Sequence, residues 1–559
     1  MKRNRKQVIV RTATTLTMAA LACGSARAQT SGDRIRDLMR EATLALQQPQ
    51  PAPTIQAPGG GPTLALTLDD AVAFALERNL DIVVQRINPQ LQDVDIASAE
   101  AFYNPMLTTT MNRTHQVGTP SSQLQIASGG VGITRDSYQY NGGFSQNLRW
   151  YGSSFTASLN NSRDESNSNN SLFNPSYGST WTFNYRQPLL RGFRVDGQRR
   201  QLQVTRIGRD ISEVQLRALV TNIVSNVRNA YWDYVFAIEA VDVARESLAL
   251  ATKLVEDNEA RVEVGTMAPI DVVQAQAEQA TRQQAVVAAE NARRTTELAL
   301  KSLIVGGTDD PNWIATLDAI ERPEFAPEPV DVEGAIRRAL GERTDVAIAK
   351  KNIESNALTV RYLQDQALPG LDLDVNYGLQ GIGGTQLQRA QTGVLGSTVT
   401  TVTPGGIADA FSSLFSRDFP RWTVALNLSY PLGTSTQDAA VARSRLQLSQ
   451  VGAQIRQIEL QIATEVTSAA IQLRNMAESV QAAQAALELS QSRLEAEQSK
   501  FEVGISTNYF VVQAQRDLND AQNSELRAVL NYRKALVEFE RLQQTTLQNS
   551  NVTVVQAGG

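Results

Sequence analysis

Arg261 to Gln276 reads RVEVGTMAPIDVVQAQ, and Lys500 to Gln515 reads KFEVGISTNYFVVQAQ. Eight of the sixteen positions are identical at a constant offset of 239, with Glu263-Val264-Gly265 on Glu502-Val503-Gly504 and Val272-Val273-Gln274-Ala275-Gln276 on Val511-Val512-Gln513-Ala514-Gln515. Unrelated helices do not share that much, so the chain is a tandem duplication. The same offset carries Asn222–Leu303 onto Gln461–Leu542 without a gap, and a second offset, 264, lays Leu64–Met111 on Glu328–Val375. Ala75-Leu76 then falls on Ala339-Leu340, Asp81 on Asp345 and Pro105 on Pro369.

Upstream of each glycine the chain keeps an apolar residue at every seventh position. These are Val227, Tyr234, Val241, Leu248, Val255 and Val262 in the first repeat, and Val466, Leu473, Val480, Leu487, Leu494 and Phe501 in the second. Companions three residues on (Ala230, Ala237, Ala244, Ala251; Ala469, Met476, Ala483), all but Met476 small, let helices approach closely. No proline interrupts Arg199 to Glu263, so at 1.5 Å per residue this helix is roughly 100 Å long. Gly265 and Gly504 end the pattern, and Pro269 suits the first turn of a returning helix. Each repeat therefore predicts a long helical hairpin.

Other segments alternate with period two: Trp181-Phe183-Tyr185, Leu371-Leu373-Val375-Tyr377 and Trp422-Val424-Leu426-Leu428-Tyr430, each interleaved with mostly small or polar residues. Both a soluble sandwich and a transmembrane barrel with aromatic girdles fit this alternation. Asn160–Asn170 and Gly381–Gly406 read as long loops between strands. Pro105 to Pro188 spans 83 residues against 62 from Pro369 to Pro431, and Phe144–Trp150 with Phe155–Leu159 read as an additional hairpin around Tyr151-Gly152. An extended external loop is the first reading of that hairpin, and two extra membrane strands the second.

The 559 residues include 19% charged residues, a net charge of −5, one cysteine and one histidine. That balance is neither a disordered chain nor the basic footprint of a nucleic-acid binder. Lys2, Arg3, Arg5 and Lys6, the mostly apolar Val8–Cys23 and Ala26-Arg27-Ala28 read as a secretory signal of residues 1–28. Cleavage there leaves 46 basic and 57 acidic residues, a mature charge of −11, and no cysteine. Ala20-Leu21-Ala22-Cys23 also resembles a lipobox, making Cys23 a lipid anchor in a competing reading. Residues 29–63 form an N-terminal segment, with a short amphipathic helix over Asp33–Leu46 and a Pro/Gln/Gly linker. Repeat 1 covers 64–310, a Pro-rich join 311–329, repeat 2 330–545, and a polar tail 546–559. No later window supplies the 18 or more apolar residues of a spanning helix, so a membrane role falls to strands.

Little in the sequence points to chemistry. His115 and Cys23 are too few for a Cys/His zinc site, and with Cys23 in the expected signal segment no Cys-His dyad is expected. His115 reads as a polar loop residue after a strand. Asp372-x-Asp374-x-Asn376 lacks the glycine and the glutamate of a calcium loop and reads as the wet face of a strand. The chain is expected to be no enzyme and to need no cofactor or metal.

Leu66-Thr67-Leu68-Asp69-Asp70-Ala71 with Ala75-Leu76-Glu77-Arg78-Asn79, the strand ends Gln187-Pro188-Leu189-Leu190-Arg191-Gly192 and Tyr430-Pro431-Leu432-Gly433, and the paired Val-Gly tips together resemble the TolC family of outer-membrane efflux proteins, from about Leu64 to Leu542. The resemblance implies an α+β membrane protein. Long coiled-coil hairpins join transmembrane strands, four per protomer, in a homotrimer with a single 12-stranded barrel and a periplasmic α-helical tunnel. It implies a passive exit duct for a tripartite efflux or type I secretion system, in the outer membrane of a Gram-negative bacterium. Its partners would be outer-membrane lipid, a periplasmic adaptor and an inner-membrane pump, with no nucleic acid. Val264, Gly265, Thr266, Val503, Gly504, Ile505 and Ser506 match tips that dock the adaptor. Asp271, Phe501, Phe510 and Gln513 match the tunnel gate, where this chain replaces a second acid with Phe510 and a tyrosine–arginine lock with Phe501 and Ser506. A more apolar constriction is expected. The alternative reading is a secreted or surface coiled-coil adhesin or scaffold.

Overall fold

The computed structural model describes residues 62–119, 132–168, 171–322, 325–327, 329–391, 397–433 and 435–550, with a few positions between 36 and 43. The signal segment with Cys23, nearly all of the linker and most of the tail lie outside the described residues. The described chain gathers into two compact units, and each draws on both repeats: Asp93–Ile207 with Glu354–Ser449, and Leu46–Gln92 with Gly208–Ile353 and Gln450–Gly559.

The first unit is built on one antiparallel sheet of seven strands: β2 (Met106–Gly118), β3 (Ile133–Asn147), β4 (Ser154–Ser166), β5 (Phe173–Pro188), β7 (Gly370–Gln391), β8 (Ser397–Thr403) and β9 (Phe419–Ser429). The order runs β2-β3-β4-β5-β7, and the far side of β7 carries β9 along its first half and β8 along its second. The repeats meet at β5 and β7, where Phe183 pairs with Tyr377 and Tyr185 with Val375.

The registers sort the side chains by face. Leu107, Met111, Tyr140, Phe144, Phe155, Leu159, Trp181, Phe183, Tyr185, Leu373, Val375, Tyr377, Trp422, Val424 and Leu426 share one face, because each pairs in line with the next. Thr110, Asn141, Asn160, Thr180, Thr182, Asn184, Asn376, Asp374, Thr423 and Asn427 share the other. Asp372, Asp374 and Asn376 are on that polar face, bonded to Arg186 at 2.9 Å, Asn427 at 2.6 Å and Asn184 at 2.5 Å.

Three expectations change here. The additional hairpin is β3 and β4, paired along its whole length inside the sheet, so six long strands stand side by side where the resemblance implies four. The stretches read as loops are partly regular. β4 runs through Asn160–Ser166, β7 continues to Gln391, and Gly381–Gly406 also holds β8 and leads into a helix (Ile407–Ser416). That helix lies on the apolar face at Gly381 and Gly383, where a Cβ would fall 2.0 Å from the Ala410 carbonyl oxygen and 2.5 Å from its nitrogen. His115 sits in β2 and pairs its Nδ1 with Asp136 at 2.9 Å, instead of lying in a loop.

The second unit holds the ends of the duplicated elements. With helices numbered in chain order, α1 (Leu68–Arg78) and α6 (Val332–Glu342) have 11 residues each, at the offset of 264. Thr67 caps the first, accepting from the Asp70 amide at 3.1 Å, and Asp331 caps the second, accepting from Gly334 at 3.0 Å. α2 (Leu80–Ala101) and α7 (Thr344–Gln366) follow them. The hairpins are α3 (Gly197–Glu263) with α4 (Pro269–Ile304), and α9 (Thr436–Glu502) with α10 (Asn508–Gln543), 67 and 36 residues in both repeats. The join carries α5 (Pro311–Ile314) and β6 (Thr316–Ala319), which pairs in parallel with β1 (Thr63–Leu66). The helix on the sheet is α8, and α11 (Thr546–Asn549) ends the described chain.

The heptad residues are the core: Val227, Tyr234, Val466 and Val480 are fully buried. Tyr231 and Tyr234 donate to the carbonyls of Leu66 and Leu317, tying the small parallel sheet to α3. Burial pushes both phenols up to about 12. Among the described residues no helix is long and apolar enough to cross a membrane.

Candidate functional site

The hairpin tips are built on the same backbone turn. In the first, the Gly265 amide donates to Val262 and the Thr266 amide to Arg261, both at 2.9 Å. In the second, Gly504 donates to Phe501 at 3.2 Å and Ile505 to Lys500 at 2.8 Å. This paired pattern is the Schellman motif, which needs a left-handed residue. Gly265 and Gly504 supply it with φ of +77° and +79°. A Cβ would meet nothing within 4 Å at either, so conformation and not space demands glycine.

Side chains then make the tips different. Val264, Val503 and Ile505 stand out at the ends, with Ile505 79% exposed, and Tyr509 and Phe510 add an edge-to-face pair at 5.6 Å with Phe510 half exposed. Thr266 caps its own turn through Oγ1 to the Arg261 carbonyl at 3.0 Å. Ser506 donates to Glu497 at 2.8 Å, and Lys500 donates to the same carboxylate at 2.7 Å. The Lys500 bond, with that of Ser506, holds Glu497 below the usual carboxylate range. The second tip thus has a local polar clasp.

Phe501, expected at the gate, packs into the hairpin core. It is 7% exposed within a cluster of Leu254, Val255, Leu494, Val511 and Leu518, with the Arg261 guanidinium 4.3 Å over its ring. It is the last residue of the heptad seam, and the seam claims it. Phe510 is open to solvent, and Asp271 is partly exposed, with its backbone carbonyl accepting from buried Asn508 at 3.2 Å. Gln513 donates to Asp517 at 2.8 Å, and Asp517 also accepts from Arg493 at 2.6 Å, so Gln513 belongs to a surface network.

Sequence reasoning missed the strongest polar contact near the tips. Glu278 on α4 is 3% exposed and accepts from Arg282 on its own helix at 2.7 Å and from Arg516 on α10 at 2.6 Å. Burial alone would raise its pKa, but the two guanidinium groups overcome that and hold it below the ordinary value. The offset of 239 did carry a signal, because Glu278 falls on Asp517 and the position is an acid in both repeats. Asn258, buried on α3, donates to Asn508 at 3.1 Å and forms a second tie between the hairpins. Among the described residues no cluster of three or more His, Cys, Asp or Glu is arranged to hold a metal.

A sheet apolar on one face and polar on the other, joined to paired helical hairpins of about 100 Å by their rise per residue, defines a channel protein of β-barrel type. The sequence matches the family described as outer membrane efflux protein over residues 150–306 and 335–543. The chain belongs to that family, and it is an outer-membrane efflux channel.

Solved structures share the fold. The outer membrane protein VceC of Vibrio cholerae is 15% identical with a TM-score of 0.57, covering 85% of this chain and 95% of its own. The CmeC outer membrane channel of Campylobacter jejuni is 13% identical at 0.58, covering 87% and 90%. The open-state MtrE outer membrane channel of Neisseria gonorrhoeae is 17% identical at 0.56, covering 89% and 94%. A comparison with curated proteins returns no match. Membership of a channel family favours the duct over the adhesin or scaffold, and the family is one of passive channels, not enzymes.

Proposed function

We propose that three copies of this chain form a closed duct whose hairpin tips dock a periplasmic adaptor serving an inner-membrane pump, in a tripartite efflux or type I secretion assembly. The observation that carries this is the tips themselves. Two equivalent Schellman turns end in exposed Val264, Val503 and Ile505, with Ile270, Tyr509 and Phe510 beside them. Exposed apolar groups clustered on a helix end mark a contact surface. A photocrosslinker at Thr266 or Ser506, in cells, is expected to capture one adaptor-sized envelope protein; capture of none at either tip rejects docking there.

The constriction is assigned to Phe510 and Asp271, because both are accessible at the start of the returning helices. Phe501 braces Phe510's hairpin from inside. Replacing Phe510 with alanine is expected to raise single-channel conductance in planar bilayers, and an unchanged conductance removes Phe510 from the gate.

A further inference from the structure

We propose that each copy contributes six strands to the barrel wall, so that the trimer closes an eighteen-stranded pore. This rests on the closed-trimer reading above and concerns what that trimer encloses.

β3 and β4 qualify as wall on three counts. They have 15 and 13 residues, where a tilted strand needs about 9–11 to cross a bilayer. Their side chains obey the same partition as the rest of the sheet. Tyr138, Tyr140 and Phe144 with Phe155, Ala157 and Leu159 lie on the apolar face; Ser137, Gln139, Asn141 and Ser145 with Thr156, Ser158, Asn160 and Ser162 lie on the polar one. The rings of Phe144, Phe155 and Phe183 run across three strands at 5.8 and 5.9 Å. A flap folded over the mouth has no reason to keep a lipid face and a water face in step with its neighbours.

The third count is where the hairpin turns. Tyr151 stacks on Phe193 at 4.5 Å, its carbonyl accepts from Gln187 at 3.1 Å, and Asn147 donates to Phe102 at 3.3 Å. These partners flank the ends of β5 and β2 that lead to helices, so β3 and β4 travel the whole height of the sheet and turn at its helical end. An external loop would turn at the other.

The outer edges of the sheet identify the partner. Among the described residues the outer edges of β2 and β9 pair with no strand, and beside them Leu107, Met111, Trp422, Leu426 and Leu428 are all strongly exposed. In a bilayer such edges must be closed by another strand. A second copy supplies the complement, β9 against β2, and the two added strands widen the ring. Barrel diameter grows roughly linearly with strand number, so eighteen strands give about one and a half times the diameter of twelve.

Purified full-length oligomer in nanodiscs, imaged by electron cryomicroscopy, is expected to show eighteen strands in the wall. A closed barrel of twelve, with residues 133–166 outside it, overturns the inference and leaves the channel reading standing; no closed barrel at all overturns both. An independent measurement uses the fact that Cys23 is the one cysteine of the sequence, far from the strands in sequence. With a membrane-impermeant maleimide on whole cells, Asn141→Cys and Asn160→Cys are expected to react, and Tyr140→Cys and Leu159→Cys to be protected. Equal reaction at all four positions makes the hairpin a loop and sinks the inference.

Discussion

The two repeats agree residue for residue in their hairpins and disagree in their strands. α3 and α9, and α4 and α10, match in length and in the turn between them. The first repeat places four strands in the sheet, while the second places β7 and β9 at full length with β8 and α8 filling the remaining edge. The difference follows from what each region must fit. A hairpin arm is constrained along its length by a seam of heptad residues against other helices, so an insertion would throw the seam out of phase. A sheet accepts a complete antiparallel hairpin between two strands, because adding a pair restores both direction and face.

The tips show the same contrast in chemistry, and mutations sharpen it. The largest difference is expected at the equivalent acids Glu278 and Asp517. Glu278→Ala leaves Arg282 unpaired at a nearly buried site and should destabilise the tips by about 3 kcal/mol. Asp517→Ala removes a bridge to a half-exposed Arg493 and should cost under about 1 kcal/mol. Hydrogen exchange of α4 and α10 compares them, and equal losses would dissolve the distinction.

Acid gives the next effect. Because the Glu278 pKa is lowered on folding, its contribution is complete above the unfolded carboxylate value of about 4.3 and is lost as pH falls through the lowered folded value. Protection at the Arg516 contact, measured against the intrinsic exchange rate at each pH, should therefore stay flat from pH 7 to about pH 5 and fall in stronger acid; a fall between pH 7 and pH 6 would point to another group. The smallest difference is expected at Gly265→Ala and Gly504→Ala. Both place a side chain at nearly the same positive φ in open space, for roughly 1 kcal/mol each. Melting shifts that differ severalfold would show that the two turns are not equivalent.

Much of this was legible in the sequence, wherever duplication supplied a second copy of the signal. The offset of 239 brought both hairpins out with the same ends, and the offset of 264 predicted α6 from α1 and the start of β7 from β2. β3 and β4 had no counterpart to align with, and Gly142-Gly143 and Asn160-Asn161 dilute their alternation, so their placement stayed open. β6 is four residues in a proline-rich stretch, too short for any periodicity to mark. Phe501 carried two messages, a heptad core position and a family gate position, and its packing under Arg261 shows the first. The Glu278–Arg516 pair was hidden because Arg516 falls on Ala277, so duplication reported the acid and not its partner.

The junction of β5 with β7 also sets a timetable. Tyr185 and Val375 are 190 residues apart in the chain, with the whole first hairpin between them. Until the second repeat has been made and exported, β5 has an open edge next to Trp181 and Phe183. The first four strands are then a hydrophobic, unfinished sheet in an aqueous compartment, which is the kind of intermediate that folding catalysts and holding chaperones exist to shield.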